Sequence, residues 1–167
     1  MYIHQLLKIA LESTRDVTVT AATKLIEHPL VTTTPSASGG DGNHLLWTLG
    51  HLCFVEASIQ SITFGTPNRL QHTAELFQTG SIPRKDASAY PSASELLQTF
   101  KDIRNETIAR TVELSADEFE KPSLFIPPGF EKVLGTKGQS LQTIAIHTLF
   151  HTGQLADIKR IVIATRG

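Results

Sequence analysis

Apolar residues recur every three or four positions in four long stretches of the chain, and this spacing limits the fold more than any other feature of the sequence. The stretches begin at Ile3, near His44, after Ser92 or Ser94, and near Gln139 or Ser140, and the last one continues almost to the C-terminus. No convincing run alternates apolar and polar residues as a half-exposed strand would. The pattern therefore predicts an all-α protein in which four amphipathic helices pack as a four-helix bundle.

The connections between these helices indicate how the helices are arranged. Before the second helix, the stretch VTTTPSASGGDG is rich in turn formers and predicts a loop that supplies Asp41 or Asn43 as the N-cap. Residues 65–92 contain several prolines and glycines and form a connection far longer than is usual between antiparallel helices. We therefore expect a long crossover connection between helices two and three, with those two helices parallel.

The segment between the third and fourth helices contains two further features. The stretch SADEFE predicts a short separate helical turn, whereas the turn formers Pro127, Pro128 and Gly129 favour a short strand pair over a helix. We expect residues 123–138 to form the wall of a substrate cavity lined by Phe125, Ile126 and Phe130. The alternative is that these apolar side chains only cap the core.

Length and charge exclude several classes of protein. A chain of 167 residues predicts a single domain spanning residues 1–167. A formal net charge of -1 offers no basic surface for nucleic acid or anionic lipid, so neither a nucleic-acid partner nor a membrane partner is expected. Cys53 is the single cysteine, which excludes an internal disulfide and a cysteine-rich zinc site. With no signal peptide or membrane span in the sequence, we expect a cytoplasmic protein.

Two histidines of the fourth helix are candidate metal ligands. His147 and His151 are four residues apart, so their rings leave the same face of a helix one turn apart. Ile144, Leu155 and Ile158 continue that face, which directs both imidazoles inward. Such a pair is more often hydrogen-bonded or solvated than a metal site, but two buried imidazoles need partners for their ring nitrogens, and a metal ion supplies one for each.

A third donor is expected from the second helix. His51 lies on the apolar face of WTLGHLCFVE, and alone it would read as a hydrogen-bonded core histidine. Together with the pair it gives three neutral nitrogen donors, the number that a catalytic zinc-type ion uses while one position stays open. His44 shares this face but lies about 10 Å of helix rise from His51, so both cannot bind one ion.

Other chemistries find less support. His4, His28 and His72 fall at helix ends or in the long connection and are interpreted as solvated side chains. Thr148 follows His147 where a His-Glu-x-x-His metalloprotease has its glutamate, so that general base is absent. Cys53 points away from His51 around the helix and is interpreted as a buried, inert thiol.

The stretches LLWTLGHLCFVEAS and IAIHTLFHTGQLADIKR resemble the DinB-like superfamily of four-helix bundles, also known as YfiT-like metal-dependent hydrolases. The family pattern has a histidine after a tryptophan-containing turn of the second helix and a His-x-x-x-His followed by Gly-Gln in the fourth. Carried over position by position, the resemblance implies that His51, His147 and His151 are the metal ligands. Many relatives have a basic residue where this chain has Thr152. The resemblance also implies a homodimer.

The resemblance and the donor set together define the expected function. Three imidazoles accept a divalent ion, with zinc or nickel expected first, iron also acceptable and copper compatible. Hydrolysis of an ester or amide is one possible reaction. The resemblance favours the other, transfer of a low-molecular-weight thiol, because several branches of the superfamily are thiol transferases or thiol-dependent isomerases.

Gln154 shares the ligand face, and its amide is expected either to hold a ligand histidine or a bound water, or to bond across a helix interface. Thr148 and Glu56 are weaker candidates because helical spacing places them off that face. Two other classes remain open. One is a non-catalytic dimeric stress or binding protein with a structural or vestigial metal site, and the other is a metal-free, hydrogen-bonded histidine cluster.

Overall fold

The computed structural model describes residues 3–36 and 39–164, so the ends of the predicted domain lie outside these ranges. In the described residues the fold is all-helical, as the sequence predicted, with two isolated bridges, Pro35–Asp41 and Pro122–Thr136, and no strand. The α-helices in chain order are α1 Ile3–Thr23, α2 Leu45–Phe64, α3 Ala74–Phe77, α4 Ala93–Glu113, α5 Ala116–Phe119, α6 Glu131–Leu134 and α7 Lys137–Ala164.

Each of the four long helices packs against two others. Helix α1 contacts α4 and α7, and helix α2 contacts the same two helices. The short helices pack on this frame, with α3 against α2 and with α5 and α6 against α7. Helix α2 is long and apolar enough to cross a membrane, but 78% of its apolar stretch is buried inside the protein, which is the pattern of a core helix.

The N-cap of α2 is His44, so the prediction of Asp41 or Asn43 at this position was wrong. The backbone of His44 is extended, and its Nδ1 accepts a hydrogen bond from the Trp47 backbone N–H at 3.2 Å. An imidazole nitrogen thus replaces the usual oxygen of a capping side chain. Asp41 instead pairs with Lys85, and the Asn43 amide contacts Gln154.

The other helix boundaries follow the side chains that cap them. Ser92 caps α4 through a capping box with Glu95, and at the start of the predicted short helix α5 the backbone N–H and hydroxyl of Ser115 donate to the Glu118 carboxylate. Helix α7 begins at Lys137, earlier than Gln139 or Ser140. The reason is a reciprocal pair of hydrogen bonds between Thr136 and Gln139 at its start.

The region between α5 and α7 differs from the predicted strand pair. Only the single bridge Pro122–Thr136 joins its two ends, and the residues after the Pro127–Gly129 turn form the short helix α6. The backbone N–H groups of Leu124 and Phe125 both donate to the Ile62 carbonyl at the end of α2 rather than to a facing strand. The segment is therefore attached to α2 and α7, which supply the partners that a second strand would have supplied.

A buried arginine connects all four long helices. Arg104 of α4 is fully buried, and it donates from Nε and Nη2 to the Glu56 carboxylate of α2 at 2.8 Å each. Its Nη1 donates to the Leu11 carbonyl at 3.0 Å and to Thr14 Oγ1 at 2.9 Å in α1. Its Nη2 also donates to Thr148 Oγ1 in α7 at 2.6 Å. Paired and hydrogen-bonded in this way, the guanidinium tolerates complete removal from water.

We expect Arg104→Met to lower the free energy of unfolding by about 3–5 kcal/mol, because it leaves the Glu56 carboxylate buried without its counter-charge. Arg69→Met is the matched control, since Arg69 and Glu106 form an exposed pair at 2.8 Å whose loss should cost less than about 1 kcal/mol. Urea unfolding of the two variants measures the difference. Equal losses would show that the buried pair does not hold the helices together.

Candidate metal centre

Three histidines from two helices converge in the core. The Nε2 atom of His51 in α2 lies 3.2 Å from the Nε2 atom of His147 in α7, and the Nε2 atom of His151 lies 3.2 Å from the same atom. The ligand atoms of the three residues all lie within 4.8 Å of one another, and the group could hold a metal ion. The structure thus brings together all three residues that the sequence singled out. Their role as ligands stays a prediction.

Hydrogen bonds on the far side of two rings fix which nitrogen faces the centre of the cluster. His51 Nδ1 lies 2.7 Å from the Phe77 backbone carbonyl, and His151 Nδ1 lies 2.9 Å from Gln154 Oε1. Both oxygens can only accept, so each Nδ1 carries the proton and each Nε2 presents a lone pair.

The two lone pairs point at one atom, His147 Nε2, which carries at most one proton. One N–H cannot donate fully to two acceptors, so a metal-free cluster leaves a nitrogen lone pair without a good partner. A cation at the centre would satisfy all three nitrogens at once. The donor set therefore fits a divalent metal ion held by three neutral imidazoles.

Aromatic neighbours restrict the histidine rings. The indole of Trp47 stacks on His51, with 4.4 Å between ring centroids and 13° between planes. Phe150 meets His151 edge to face at 5.3 Å. With one face packed and one nitrogen hydrogen-bonded, His51 is held in one orientation, which is how metal ligands are prearranged.

Gly50 explains how a carbonyl from the long connection reaches His51. A Cβ atom at position 50 would lie 2.1 Å from the Phe77 ring, so only glycine lets α3 approach α2 this closely. The approach places the Phe77 carbonyl beside the neighbouring residue, His51. Glycine disfavours a helix interior, and its presence there was the one sequence signal for this contact, which the sequence analysis missed.

The environment keeps the three imidazoles neutral. Burial, with smaller contributions from His151, His51 and Arg104, lowers the pKa of His147 to about 3. Burial lowers the pKa of His151 to about 4, against a smaller raising effect of the Gln154 hydrogen bond. Burial likewise lowers the pKa of His51, opposed by its hydrogen bond to Phe77. At neutral pH the cluster therefore presents uncharged donors, as metal binding requires.

A cavity of about 580 Å³ opens onto the cluster. Most of its lining is apolar, and no aspartate, glutamate, lysine, arginine or cysteine belongs to the lining in the described part of the chain. The residues are Trp47, His51, Phe54, Val55, Ser58, Ile59, Ile62, Thr79, Gly80, Pro127, Phe130, Val133, Leu134, Thr143, His147, Phe150 and His151. The volume is that of a small-molecule site.

The segment 123–138 forms one wall of this cavity, and Phe130 lines it as expected, but Phe125 and Ile126 do not. The hydrogen bonds of the Leu124 and Phe125 backbones to Ile62 direct this part of the segment along the end of α2, and the Phe125 side chain is exposed.

The remaining sequence candidates lie around the cluster. The Gln154 amide contacts His151 directly, as one of its two expected roles required. Thr148 and Glu56 stay off the ligand face and belong to the Arg104 network. Thr152, at the position that is basic in many relatives, is buried and bonds Thr18 of α1 at 2.6 Å.

Histidines and the cysteine outside the cluster have other surroundings. His72 is exposed, as expected, whereas His28 is half-buried and its Nδ1 is shielded from solvent, so its interpretation as a solvated side chain was wrong. Burial raises the pKa of the Cys53 thiol, which agrees with an inert thiol.

Comparison with known families decides which protein class carries this cluster. The family model of the DinB superfamily matches residues 10–155, which include all four long helices in whole or in large part and the three histidines. The chain belongs to the DinB superfamily. None of the curated proteins matches the chain. The DinB family is metal-associated, and the present DinB protein has a histidine cluster that could hold an ion.

Two interactions in this DinB protein could not be predicted from the sequence. Arg104 contributes to the low pKa of His147 from a position 43 residues away in the chain. Asn43 donates from Nδ2 to Gln154 Oε1 at 3.0 Å, behind His151. Neither residue belongs to a local motif, so only the packed helices reveal them.

We expect metal-free protein to lose stability as the pH falls from about 6.5 to about 4. Unfolded histidines titrate near 6.5, whereas the pKa values of His147 and His151 are about 3 and about 4 in the folded state. The unfolded chain therefore binds more protons in this range, and each histidine contributes a slope of at most about 1.4 kcal/mol per pH unit. Urea unfolding at several pH values measures the slope.

His147→Gln should make that dependence shallower, because one of the titrating groups is removed. Leu149→Gln, exposed two residues away on the same helix, is the control and should keep the wild-type slope. A wild-type stability that does not change between pH 6.5 and pH 4.5 would contradict the assignment of neutral buried imidazoles.

Proposed function

We propose that this DinB protein binds one divalent metal ion through Nε2 of His51, His147 and His151 and is an enzyme that transfers a thiol to an electrophile. The observation that carries the proposal is the convergence of three neutral imidazole nitrogens at an apolar cavity, with no carboxylate among the described residues that line it. Three donors leave a coordination position open, and the cavity gives a reactant access to it.

The lining favours a thiol over water as the nucleophile. A bound divalent ion would act as a Lewis acid and lower the pKa of a coordinated thiol or water. No aspartate, glutamate or lysine of the described lining could take the proton, and Thr148 stands where a metalloprotease has its glutamate. A free thiol has a pKa of about 8.5 whereas that of water is about 15.7, so the thiol needs far less assistance. Hydrolysis is the runner-up reaction.

The residues of the chain orient the histidine nitrogens and keep water away from the reacting sulfur. The Phe77 and Gln154 oxygens hold the protons of His51 and His151 on Nδ1, which keeps Nε2 available. The apolar wall excludes water from the reacting sulfur and so preserves its nucleophilicity. In the transfer, the thiol proton passes to solvent, a bond forms from sulfur to the electrophilic carbon, and the leaving group departs with its electron pair.

The donor set does not select one ion. Three imidazoles suit zinc and nickel, and they also accept iron, so availability in the cell decides. We propose zinc or nickel as the resident ion, with iron as the alternative.

We expect protein purified without chelator or histidine tag to contain close to one divalent ion per chain. His51→Ala and His147→Ala should abolish the metal content, because each removes one of only three donors. His72→Ala is the control, since His72 is exposed and outside the cluster. Metal should also be lost as the pH falls to about 4 and below, because protons then compete for the same lone pairs. Elemental analysis measures each of these outcomes.

The loaded protein should then accelerate the reaction of a low-molecular-weight thiol with an aromatic chloride, and both histidine variants should lose the acceleration. Metal at full occupancy without any turnover would sink the transferase and favour the alternative, a non-catalytic stress or binding protein. One observation keeps this alternative open. Apart from the histidines, the described lining contains no side chain suited to transfer a proton.

We also propose the finer architecture, a single four-helix-bundle domain with a crossover between α2 and α4. Contacts that advance in the same direction along both helices support it. Cys53 Sγ contacts the Leu96 carbonyl in the first half of both helices, and Gln60 Nε2 donates to Thr107 Oγ1 in the second half of both. Parallel helices require residues 65–92 to return along the length of the bundle.

We propose a homodimer and a cytoplasmic location as well. Helices α1 and α7 expose a set of large apolar side chains that a second copy would cover, and sedimentation velocity would show whether it does. The set consists of Ile3, Leu6, Ile9, Val17, Ile146 and Leu149. The single cysteine supports the location.

A further inference from the structure

We propose that the cavity selects a reactant with an uncharged, apolar body that reaches the metal through one anionic donor atom. This inference rests on the proposed function and names the substrate class of the same site. Its basis is the charge and hydrogen-bonding capacity of the lining.

The described lining has three hydroxyl groups, and two of them are already hydrogen-bonded within the protein. The Ser58 hydroxyl donates to the Phe54 carbonyl and accepts from Asn68 Nδ2, both at 2.8 Å. The Thr143 hydroxyl donates to the Val133 carbonyl at 2.7 Å. These hydroxyls therefore have no proton to offer a ligand, and a charged group bound beside them would lose its hydration without replacement.

The charge of the ion itself demands one anion. Three neutral imidazoles would leave a divalent ion with its full charge, and no carboxylate of the described lining offsets it. The buried ions nearest to this region, Arg104 and Glu56, neutralise each other. An anionic donor at the open position is then strongly favoured, whereas further charges on the ligand find no partner.

The rim of the cavity extends the same preference outward. Phe130, Val133 and Phe150 line the cavity and are nevertheless 51%, 43% and 65% exposed. Large apolar side chains left in water around an opening are typical of ligand-binding surfaces. A cavity of about 580 Å³ with such a rim suits an aromatic or branched aliphatic body.

The test uses protein loaded with cobalt(II), whose sulfur-to-metal absorption reports coordination without turnover. Two thiols of similar length serve as probes, 2-phenylethanethiol with an apolar body and 2-mercaptoethanesulfonate with a charged one. We expect the apolar thiol to bind at least about 10-fold more tightly, because its ring is buried in the lining whereas the sulfonate must keep its water.

Val133→Lys places a cation at the rim and should reduce this ratio several-fold by pairing with the sulfonate. Val112→Lys is the matched control, since Val112 on α4 is also 43% exposed and lies outside the cavity, and it should leave the ratio unchanged.

The possible outcomes separate the two proposals. Equal binding of the two thiols, or tighter binding of the sulfonate, overturns the apolar substrate class and leaves the metal centre standing. Cobalt bound without a sulfur band from either thiol overturns the thiol chemistry and this inference with it. Failure to bind cobalt overturns both.

A second inference stands on a different observation, the two hydrogen bonds that meet at Gln154 Oε1. His151 Nδ1 donates to this oxygen at 2.9 Å, and Asn43 Nδ2 donates to it at 3.0 Å. The geometry assigns Asn43 as a positioning residue that fixes the ligand nitrogen of His151 through Gln154.

The assignment depends on which end of the Gln154 side-chain amide faces His151. If the Gln154 amide turned over, its NH₂ group would face the Asn43 NH₂ group and the His151 N–H, so it can turn only when the Asn43 amide also turns and the His151 proton moves to Nε2. Asn43 therefore holds the oxygen toward His151, which keeps the proton on Nδ1 and leaves Nε2 free for the ion. Asn43 precedes α2 whereas Gln154 lies in α7, so the contact also joins the two ligand-bearing helices.

Asn43→Asp tests this assignment, because a positioning role predicts weaker zinc binding whereas an effect of the added charge alone predicts tighter zinc binding. The aspartate cannot donate to Gln154 Oε1, so the amide turns to donate to the carboxylate, and its NH₂ group forces His151 to move its proton to Nε2. Zinc affinity, measured against a competing chelator, should fall about 10-fold or more. A new carboxylate acting through charge alone would instead tighten binding of a divalent cation.

Two comparisons complete the test. In a Gln154→Ala background, Asn43→Asp should no longer weaken zinc binding, because the residue that transmits the effect is absent. Asn105→Asp, an equivalent change on the exposed face of α4, should leave the affinity unchanged. Unchanged or tighter zinc binding by Asn43→Asp with Gln154 present would overturn the assignment.

Discussion

The fold is organised around one fully buried guanidinium. Arg104 reaches Glu56 in α2, a carbonyl and a hydroxyl in α1 and a hydroxyl in α7, so one side chain contacts all the long helices. Each of these contacts satisfies an N–H group that would otherwise be buried without a partner, and shifting any helix would break one. The network ends at Thr148, which directly follows His147 and precedes His151 in α7. The register of α7, and with it the position of both histidines, therefore depends on the Arg104–Glu56 pair.

The cluster and the network treat buried polarity in opposite ways. The Arg104 network is charge-neutral and hydrogen-bonded within the protein, so it needs nothing from outside. The histidine cluster is uncharged, but the Phe77 and Gln154 oxygens orient two of its lone pairs toward a third nitrogen. Such an arrangement costs free energy unless a cation occupies the centre. The helices thus hold an unsatisfied donor set in place with the stability that the network provides, as expected for a site arranged before its ligand arrives.

Local patterns in the sequence predicted the helices and the ligand candidates, whereas contacts between distant residues escaped it. Periodicity and turn residues located the four long helices, and Ser92, one of two serines expected to cap the third helix, is the N-cap of α4. The spacing of His147 and His151 placed both on one face because helical geometry is local. The interior Gly50 could have indicated that another part of the chain approaches α2 closely, but it could not have identified Phe77 as the group that approaches. The pairing of Arg104 with Glu56 joins positions 48 residues apart, and no local rule selects that partner.

The boundary errors have a common physical cause and bear on the chemistry. Asn43 was a reasonable N-cap for α2 by propensity, but His44 caps the helix, and the Asn43 amide is left to reach Gln154. Tertiary contacts thus overrode a local preference at the residue that lies behind His151 of the histidine cluster. The long connection shows the same effect, since α3 within it supplies the carbonyl behind His51. The Phe77 oxygen behind His51 belongs to the long connection, and the Gln154 oxygen behind His151 is contacted by Asn43, which precedes α2. Changes in these two connections would therefore alter the histidine cluster without replacing any of its histidines.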